Sequence, residues 1–412
     1  MWVIYEYWFA RMKNISDNKK KKLREAYGSA KEIYYIEETQ LRLQNFLTKK
    51  DIEQLKIARK QKDLEEKYYN MEEKGIDFVP YFQKTYPKRL SELDGAPYAL
   101  YVKGKLPEED RPSVAIIGAR RCSNYGEGQA LEYGKCLASA GVQIISGLAL
   151  GIDGAGQRGA LNGGGTTYGV LGCGVDICYP RENIGLYMDI QREGGIISEQ
   201  IPGEPPMSYH FPLRNRIISG LADVVLVMEA KEKSGSLITT DMALEQGRDV
   251  YALPGPVTST LSQGCHRLIR QGAGILISPE EFLKELQIEV SENSTELLKN
   301  EKMLETTEKV VYSCLDLFPR NVSEIQVKTG LDARILMETL MTLEMEGYIK
   351  ETAGPSYISA CCCRKAIRCL CAPRAACGAW CCPRRNLMIR TGFLPLPWMR
   401  SLCWTETARK SS

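Results

Sequence analysis

The sequence predicts an α/β protein whose centre is an extended, Rossmann-like, doubly wound and mostly parallel sheet. Between residues 76 and 285, short apolar runs alternate with helical stretches, an order typical of parallel strands covered by helices on both faces. The chain has 412 residues, of which 44% are hydrophobic, so it is long enough for two or three domains. Helical patterns on either side predict a small all-helical module with its connector in residues 1–75 and, after a linker at 286–299, a winged helix-turn-helix in residues 300–359.

Seven strands are expected in this sheet, each a short apolar run bounded by turn residues. They are residues 114–118, 142–146, 167–171, 195–198, 224–229, 250–253 and 275–277. Helices are expected to begin near residues 126, 152, 182, 215, 236 and 265. Ligands of such sheets bind beyond the carboxyl ends of the strands, so the loops that follow the strands form the candidate site.

Glycine, hydroxyl and basic residues follow five of these strands. The segments are Gly118-Ala119-Arg120-Arg121, Ser146-Gly147, Tyr179-Pro180-Arg181, Arg214-Asn215-Arg216 and Lys233-Ser234-Gly235-Ser236. The last two are each expected to open a helix, where unpaired N–H groups and the positive end of the helix dipole favour phosphate. Gly235 would let a ligand approach the backbone closely. The alternative is that Ser236 only caps its helix and that the arginines are solvated.

The winged-helix region contains two helical patterns joined around Thr329-Gly330-Leu331 and a short wing that ends near Tyr357. Such a domain reads DNA or docks on a partner. Its expected recognition helix, residues 332–346, carries Arg334 against several glutamates. This charge pattern favours docking or a structural role over contact with the major groove.

The net charge of +3 is unevenly distributed. Residues 361–412 hold ten lysines and arginines and one acidic residue, and subtracting them from the totals of 54 and 51 leaves 44 basic and 50 acidic residues in the first 360. The main body is therefore acidic, and a nucleic-acid site must be a local patch. The run of four lysines at residues 19–22 is interpreted as a solvated helix face.

Cysteine usage separates the tail, residues 360–412, from the rest of the chain. Nine of the 15 cysteines lie in the tail, and the six others are scattered, which is typical of a reducing cytoplasm. The tail has no histidine for a zinc ribbon, and its Arg, Cys, Trp and Pro bias resembles translation in a shifted reading frame, so we expect it to be disordered and without function. No run of about 18 apolar residues predicts a membrane span, and the first residues make a poor signal peptide.

The candidate site lacks the marks of a catalytic or cofactor-binding centre. Neither a G-x-G-x-x-G fingerprint with its ribose-binding acid nor a G-x-x-x-x-G-K-[ST] phosphate loop occurs. His210 and His266 have no metal-ligand spacing and are interpreted as polar surface residues or as residues behind the site. Asp153 and Glu199 form a pair of carboxylates or, alternatively, Asp153 caps a helix. We therefore expect no enzyme activity, no cofactor and no metal.

Six segments carry a family resemblance, in unbroken order between about residues 80 and 280. They read VAIIGARRCSNYG, IISGLALGIDGAGQRGAL, GVLGCGVDICYP, IISEQIPG, FPLRNRIISGLADVVLVMEAKEKSGSLITTDMALEQGRDVYALPG and GCHRLIRQGA. This series resembles the bacterial DNA-processing protein A family (DprA, also called Smf). The resemblance implies a homodimeric protein that binds single-stranded DNA, protects incoming DNA and helps to load the RecA recombinase during natural transformation, without catalysis. It also implies that Arg120 and Arg181 contact DNA and that the RNR and SGS loops line the same pocket.

A single strand exposes bases that aromatic side chains can stack. Tyr125, Tyr179, Tyr209 and Phe211 are the candidates, and core packing is the alternative for each of them.

The sequence departs from the family pattern in two places. Where the family reads G-I-D-x-x-A-H, residues 151–156 read GIDGAG and the histidine is missing; the early-helix glycine should cost about 0.5–1 kcal/mol relative to alanine. In the helical module, Lys13-Asn14-Ile15-Ser16 replaces the glycine-bearing hairpin of helix-hairpin-helix domains. DNA binding by that module is therefore not expected.

The alternative function is that of a nucleotide-binding Rossmann enzyme of the nucleoside-monophosphate N-glycosidase type. Such enzymes also bind phosphate at a glycine-rich helix start, but they carry a P-G-G-x-G-T block with a nearby Arg and Glu. The sequence contains no such block.

Overall fold

The computed structural model describes residues 2–12, 14–61, 63–288, 306–315, 320–345, 348–351 and 356–359. These residues belong to one compact unit, Met1–Arg364. Residues 289–299 of the predicted linker and the whole predicted tail lie outside the described residues, so the expectation of a disordered tail stays a prediction.

Nine strands form one sheet: β1 (Asp77–Pro80), β2 (Ala99–Gly104), β3 (Ser113–Ile117), β4 (Gln143–Ser146), β5 (Thr167–Val170), β6 (Gly195–Ser198), β7 (Val224–Val227), β8 (Asp249–Ala252) and β9 (Gly274–Ile275). Their order across the sheet is β1-β2-β6-β5-β4-β3-β7-β8-β9. β2 pairs antiparallel with β1 and β6, and the other pairings are parallel. The predicted doubly wound, mostly parallel sheet is confirmed, and the seven predicted strands are present within two residues of their expected ends.

The direction of sheet growth reverses at β3. From β3 the sheet extends through β4, β5 and β6 on one side and through β7, β8 and β9 on the other. The gap between the carboxyl ends of β3 and β7 is thus the topological switch point, where ligands of open α/β sheets bind.

Both faces of the sheet are buried. Along β3, Val114 and Ile116 pack into one hydrophobic cluster, while Ala115 and Ile117 pack into another. Because successive side chains of a strand point to opposite faces, this division places apolar cores above and below the sheet. The strands are therefore continuous apolar runs, which is why they could be predicted.

Six helices form the N-terminal module: α1 (Trp2–Ala10), α2 (Asp17–Tyr27), α3 (Ala30–Tyr35), α4 (Glu38–Arg42), α5 (Lys49–Arg59) and α6 (Leu64–Glu73). Aromatic rings join the module to the sheet: Tyr7 lies edge-on to Phe78 of β1 and Tyr101 of β2, and Phe9 lies edge-on to Tyr98. Beneath this layer the carboxylate of Glu6, which is 2% exposed, accepts hydrogen bonds from the Tyr98 hydroxyl, Arg24 Nε (3.2 Å) and the Ala30 N–H (3.3 Å).

The interpretation of the lysine run as a solvated helix face is wrong. Lys19 pairs with Asp51 at 2.6 Å. Lys20 is 4% exposed and donates to Ala10 O and Asp17 Oδ1. Lys21 lies 5.1 Å from the ring centre of Tyr81, and burial lowers the pKa of its ammonium. Three of the four lysines thus make specific contacts, two inside the module and one with Tyr81 after β1, because their long apolar stems pack while the ammonium groups find partners.

The helices around the sheet are α7 (Lys88–Ser91), α8 (Asn124–Ser139), α9 (Ile152–Asn162), α10 (Ile184–Glu193), α11 (His210–Leu221), α12 (Gly235–Glu245), α13 (Gln263–Arg270) and α14 (Pro279–Glu285). Five of the six predicted helix starts lie within two residues of the observed ones. The sixth was wrong, because α11 begins at His210 and not near Asn215. Pro212 lies in its first turn, where proline is tolerated since those N–H groups have no helical partner.

The glycine at position 156 is required by packing and is not merely a helix-weakening residue. A Cβ built on Gly156 would lie 2.8 Å from Ile116 Cγ2, and one on Gly134 of α8 would lie 2.1 Å from Gly156 O. A side chain on Gly134 would clash with the backbone of α9, and one on Gly156 would clash with Ile116 of β3. The expected penalty relative to alanine therefore does not apply here.

The C-terminal elements are α15 (Thr306–Ser313), β10 (Arg320–Asn321), α16 (Val322–Thr329), α17 (Ala333–Met345), β11 (Ile349–Glu351) and β12 (Ser356–Ser359). The strands form a small antiparallel sheet in the order β10-β12-β11. Leu336, Leu340 and Leu343 of α17 are fully buried with Ile325 of α16. The three helices and the wing, formed by β11 and β12, together make up the predicted winged helix.

Candidate functional site

A cavity of about 470 Å³ lies at the topological switch point. We call it the switch cavity. Seven predicted site residues line it: Gly118, Arg120, Arg214, Asn215, Ser234, Gly235 and Ser236. They come from the loop after β3, from α11 and from the loop after β7, as expected for residues at the carboxyl edge of the sheet.

Arg120 is the exposed cation of this cavity. Its guanidinium carbon lies 5.5 Å from the centre of the Phe211 ring, and its side chain forms no ion pair or hydrogen bond with the described residues. The loop that carries it is fixed by Glu229, which follows β7 and accepts hydrogen bonds from Ser123 N (2.9 Å) and Ser123 Oγ (2.6 Å). A guanidinium on an anchored loop without a carboxylate partner is available to an anionic ligand.

Two aromatic side chains line the same cavity. Tyr179 and Phe211 lie 5.5 Å apart with ring planes 31° from each other, and Tyr179 is 42% exposed. The two other stacking candidates do not line it: Tyr209 faces a different cavity, and Tyr125 donates its hydroxyl proton to Pro254 O at 2.8 Å. A flat, half-exposed pair beside a guanidinium is the arrangement that stacks bases.

The SGS loop supplies the N-terminus of α12. Ser234 is its N-cap, and its Oγ accepts from Ser236 N (3.4 Å) and lies 2.7 Å from Ser236 Oγ. Gly235 faces open space, since a Cβ built there meets nothing within 4 Å, whereas one on Gly118 would lie 2.7 Å from Ile152 Cγ1. Packing therefore explains Gly118 but not Gly235. The glycine of the SGS loop leaves the backbone of α12 open to the cavity.

Arg214 is a buried structural residue, which corrects the prediction that it opens a helix as a phosphate ligand. It is 5% exposed, and its Nη1 donates to Gly147 O (2.9 Å) after β4 and to Val170 O at the end of β5. Burial lowers the pKa of this guanidinium to about 10, against the opposing charge of Asp153. Arg214 thus ties α11 to the ends of two strands.

Arg216 lies outside the switch cavity. Its Nη2 donates to Glu199 Oε2 at 2.5 Å, and it lines a separate cavity against the N-terminal module. The predicted Arg-Asn-Arg unit is therefore divided: Arg214 and Asn215 line the switch cavity, where Asn215 Oδ1 accepts from Arg214 Nε at 3.3 Å, and Arg216 does not. Glu199 is consequently the partner of Arg216.

Five other predicted residues also lie off the cavity wall. Ser146 is fully buried and donates to Ile116 O (2.6 Å), and Gly147 is buried with its N–H donating to Asp153 Oδ2 (3.1 Å), so neither is accessible to a ligand. Arg121 and Arg181 are exposed without lining the cavity; Arg181 follows Tyr179 by two residues. Lys233 lies in a neighbouring groove.

Sequence reasoning missed the residues that shape the cavity without charge. Ser208, Pro212, Ile238 and Thr239 line it. Nothing in their chemistry indicates a site, and Ile238 could have been found only from its helical spacing after Ser234. Asn183 was also missed: its amide donates to Leu148 O (3.0 Å) and Ala149 O (3.1 Å) and supports a loop in which Leu148 has a φ of 54°, unusual for a residue with a Cβ.

The described residues offer no assembled acid, base and nucleophile at this cavity. Asp153 is buried, burial raises the pKa of its carboxyl, and it does not cap α9, whose N-cap is Gly151. Each histidine lies within hydrogen-bond distance of a backbone carbonyl, His210 Nδ1 of Gly172 O and His266 Nε2 of Gly255 O. Within the described ranges there is also no group of three or more His, Cys, Asp or Glu able to hold a metal ion, and none of the helices there is long and apolar enough to span a bilayer.

Fold and site together define a Rossmann-like protein that presents a cation, a helix N-terminus and paired aromatic rings at its switch point. Comparison with known families agrees: residues 77–287 match the family described as DNA recombination-mediator protein A, and residues 299–355 match the DprA winged helix domain. The chain belongs to the DNA-processing protein A (DprA/Smf) family.

Individual relatives are similar over the same region. The DNA processing protein DprA of Streptococcus pneumoniae is 46% identical over 202 residues, which are 49% of this chain and 71% of that protein. The Bacillus subtilis protein of the same name is 37% identical over 242 residues, 57% of this chain and 82% of that protein. An X-ray structure of the S. pneumoniae protein aligns with a TM-score of 0.51 and 35% identity, covering 66% of this chain and 98% of that one.

Proposed function

We propose that the chain binds single-stranded DNA in the switch cavity without cutting it. The observation that carries the proposal is the position of Arg120, exposed and without an ion pair in the described part of the chain, over the ring of Phe211 and in the same cavity as Tyr179. A phosphate would lie between Arg120 and the N-terminus of α12, while a neighbouring base would stack on the aromatic pair. Arg181 would contact a further phosphate at the rim.

The aromatic contribution favours a single strand over a duplex. Base faces are accessible to Tyr179 only when the bases are unpaired, and stacking contributes about 1–3 kcal/mol per base. The first 360 residues are acidic, so bulk charge attracts neither a duplex nor a single strand, and binding depends on the local groups of the cavity. Recognition through phosphates and stacking would also be tolerant of sequence.

A comparative titration tests the proposal. Fluorescence anisotropy with a labelled single-stranded oligomer and the matching duplex, over a series of salt concentrations, should give tighter binding of the single strand. Its affinity should fall with salt at a logarithmic slope of about −0.7 per phosphate contacted. Equal or tighter binding of the duplex would refute the proposal.

The alternative N-glycosidase activity requires an acid or base next to a bound sugar. Asp153, the carboxylate that lines the switch cavity, is buried and interacts with the positive charge of Arg214. This arrangement supports a binding protein rather than an enzyme. Release of free base from nucleoside monophosphates, measured by chromatography, would instead favour the enzyme.

The proposal includes the partners that the family resemblance implies, RecA recombinase and a second copy of this chain, with a role in protecting incoming DNA during transformation. The family description as a recombination mediator supports the first partner. Two exposed isoleucines at the β9 edge of the sheet support the second: Ile275 in β9 is 48% exposed and Ile277, two residues further on, is 72% exposed, and exposed apolar residues at a sheet edge favour contact with another chain. Sedimentation of the wild type and of Ile275→Lys tests the dimer, which the added charge should weaken.

A further inference from the structure

A second groove opens beside the switch cavity, between α12 and α13. We call it the side groove; Lys233, Asp241, Arg267 and Gln271 are among its lining residues, and its volume is about 410 Å³. Ser234, Gly235 and Ile238 line both hollows. The two therefore meet across the first turn of α12.

Two uncommitted cations lie in the side groove. Lys233 and Arg267 are exposed, and neither side chain forms an ion pair or a hydrogen bond with any residue that the structure describes. Lys233 directly precedes the N-cap of α12, so its ammonium adds to the positive end of that helix. Arg267 faces it from α13, on the other wall of the groove.

The side groove is not a strong anion site by itself. Glu232 and Asp241 also line it and are exposed, so the four charged side chains sum to zero. A free anion would gain little there. A strand already held in the switch cavity has a high effective concentration at the adjoining groove, so a weak contact suffices to extend the bound length.

The ridge between the two hollows leaves room for a chain to cross. Gly235 forms this ridge, has no positive φ, and offers open space where a Cβ would stand. Neither local backbone geometry nor packing within the protein therefore explains glycine at this position. A crossing strand would need that space, because its backbone must pass close to the first turn of α12.

We propose that single-stranded DNA held in the switch cavity continues over Gly235 into the side groove, where Lys233 and Arg267 bind its next phosphates. This inference rests on the proposed function of the switch cavity and adds a second stretch of track with its own residues. The track divides the binding site into a primary segment that recognises short strands and an extension that only longer strands reach.

Oligomer length is the variable that tests the extension. Anisotropy titrations with oligothymidylates of increasing length, over a salt series, would compare the wild type with Arg267→Ala and Arg270→Ala. Arg270 is the matched control, since it is exposed on the same helix but does not line the groove. Arg267→Ala should bind the shortest competent oligomer like the wild type, bind longer ones more weakly, and lower the magnitude of their salt slope by about 0.7.

Asp241→Asn should have the opposite effect on the binding of long oligomers to that of Arg267→Ala. Removing this carboxylate leaves the groove with a net positive charge, so the variant should bind long oligomers more tightly and short ones as before. Far-UV circular dichroism and a melting curve for each variant show whether the fold is retained, which is expected because the three residues are exposed.

Three outcomes would overturn the extension. They are an Arg267→Ala protein with wild-type affinity at every length, an equal loss in Arg267→Ala and Arg270→Ala, and a loss already present with the shortest oligomer. A different result would refute the proposed function of the switch cavity itself. In that case the double variant Arg120→Ala with Arg181→Ala would bind the shortest oligomer as well as the wild type does.

Discussion

Arg214 and Arg216 lie two residues apart on α11, yet their guanidinium groups bind partners on opposite sides of the helix. Arg214 donates to the carbonyl groups of Gly147 and Val170 at the ends of two strands, whereas Arg216 pairs with Glu199 at 2.5 Å. Residues two apart on an α-helix are separated by about 200° around its axis. A motif that is continuous in sequence is therefore divided between a sheet contact and a contact near the helical module.

Replacing Arg214 should destabilise the protein. Arg214→Ala removes two buried hydrogen bonds and leaves the carboxylate of Asp153 without its neighbouring charge, a kind of change that typically costs about 3–5 kcal/mol. Urea unfolding followed by circular dichroism measures the loss. Arg214→Lys should recover only part of it, because an ammonium cannot reproduce the forked geometry. A stable Arg214→Ala protein that has merely lost affinity for DNA would contradict this assignment.

Arg120 should contribute far more to DNA binding than its neighbour Arg121. Both are exposed, but only Arg120 lines the switch cavity, so Arg120→Ala should weaken oligonucleotide binding while Arg121→Ala changes it little. Combining Arg120→Ala with Arg181→Ala should weaken it further, and the free energy of unfolding should stay within about 1 kcal/mol of wild type, as is usual for surface charges. Filter binding and thermal melting supply the two measurements. Equal losses from the adjacent arginines would argue against a defined pocket.

Tyr179 should contribute through its ring. Tyr179→Ala is expected to lower the affinity for single-stranded DNA by about 1–3 kcal/mol, and Tyr179→Phe to retain it, because stacking requires only the aromatic face. Tyr209→Ala is the matched control, since Tyr209 is 58% exposed but lines the cavity on the other side of α11. Anisotropy titration of the three variants separates stacking from general surface effects. A Phe variant as weak as the Ala variant would mean that the hydroxyl group is what matters.

Gly235 should matter for binding and not for folding. Gly235→Ala places a methyl group in open space at a helix start, so stability should be unchanged or raised by about 0.4–1 kcal/mol through the unfolded state, while DNA affinity falls. Gly185 of α10 is the control, because a Cβ there also meets nothing within 4 Å and it lies away from the switch cavity. Gly185→Ala should match the stability effect and leave affinity intact. If both variants bind like the wild type, close approach of DNA to this turn is ruled out.

The parallel strands could be predicted from the sequence because each is a short apolar run buried on both faces. β1 and β2 were missed, although Leu100 to Val102 are as apolar as the others. They extend the sheet antiparallel at one edge, which no local pattern reveals, and β1 ends in Pro80, a residue tolerated only at sheet edges.

Site residues could be predicted from the sequence where they lie in a loop directly after a strand. They could not be predicted where the direction of the side chain depends on its position around a helix. The loops of Arg120 and Gly235 reach the switch cavity because the carboxyl ends of neighbouring parallel strands lie side by side. The direction of Arg214 and Arg216 depends on where α11 begins, and α11 begins at His210, earlier than the apolar pattern indicated. The burial of Ser146 was likewise not visible from sequence.

Glu6 links the packing inside the helical module to the attachment of that module to the sheet. Its carboxylate accepts from Arg24 and Ala30 inside the module and from the Tyr98 hydroxyl outside it, so a module rotated on the sheet would take a buried carboxylate away from one of its three donors. This penalty disfavours orientations of the module that are intermediate between attached to the sheet and detached from it. The first helices thus behave as a fixed wall of the molecule, and any process that needs them to swing aside must first break the hydrogen bond between Glu6 and Tyr98.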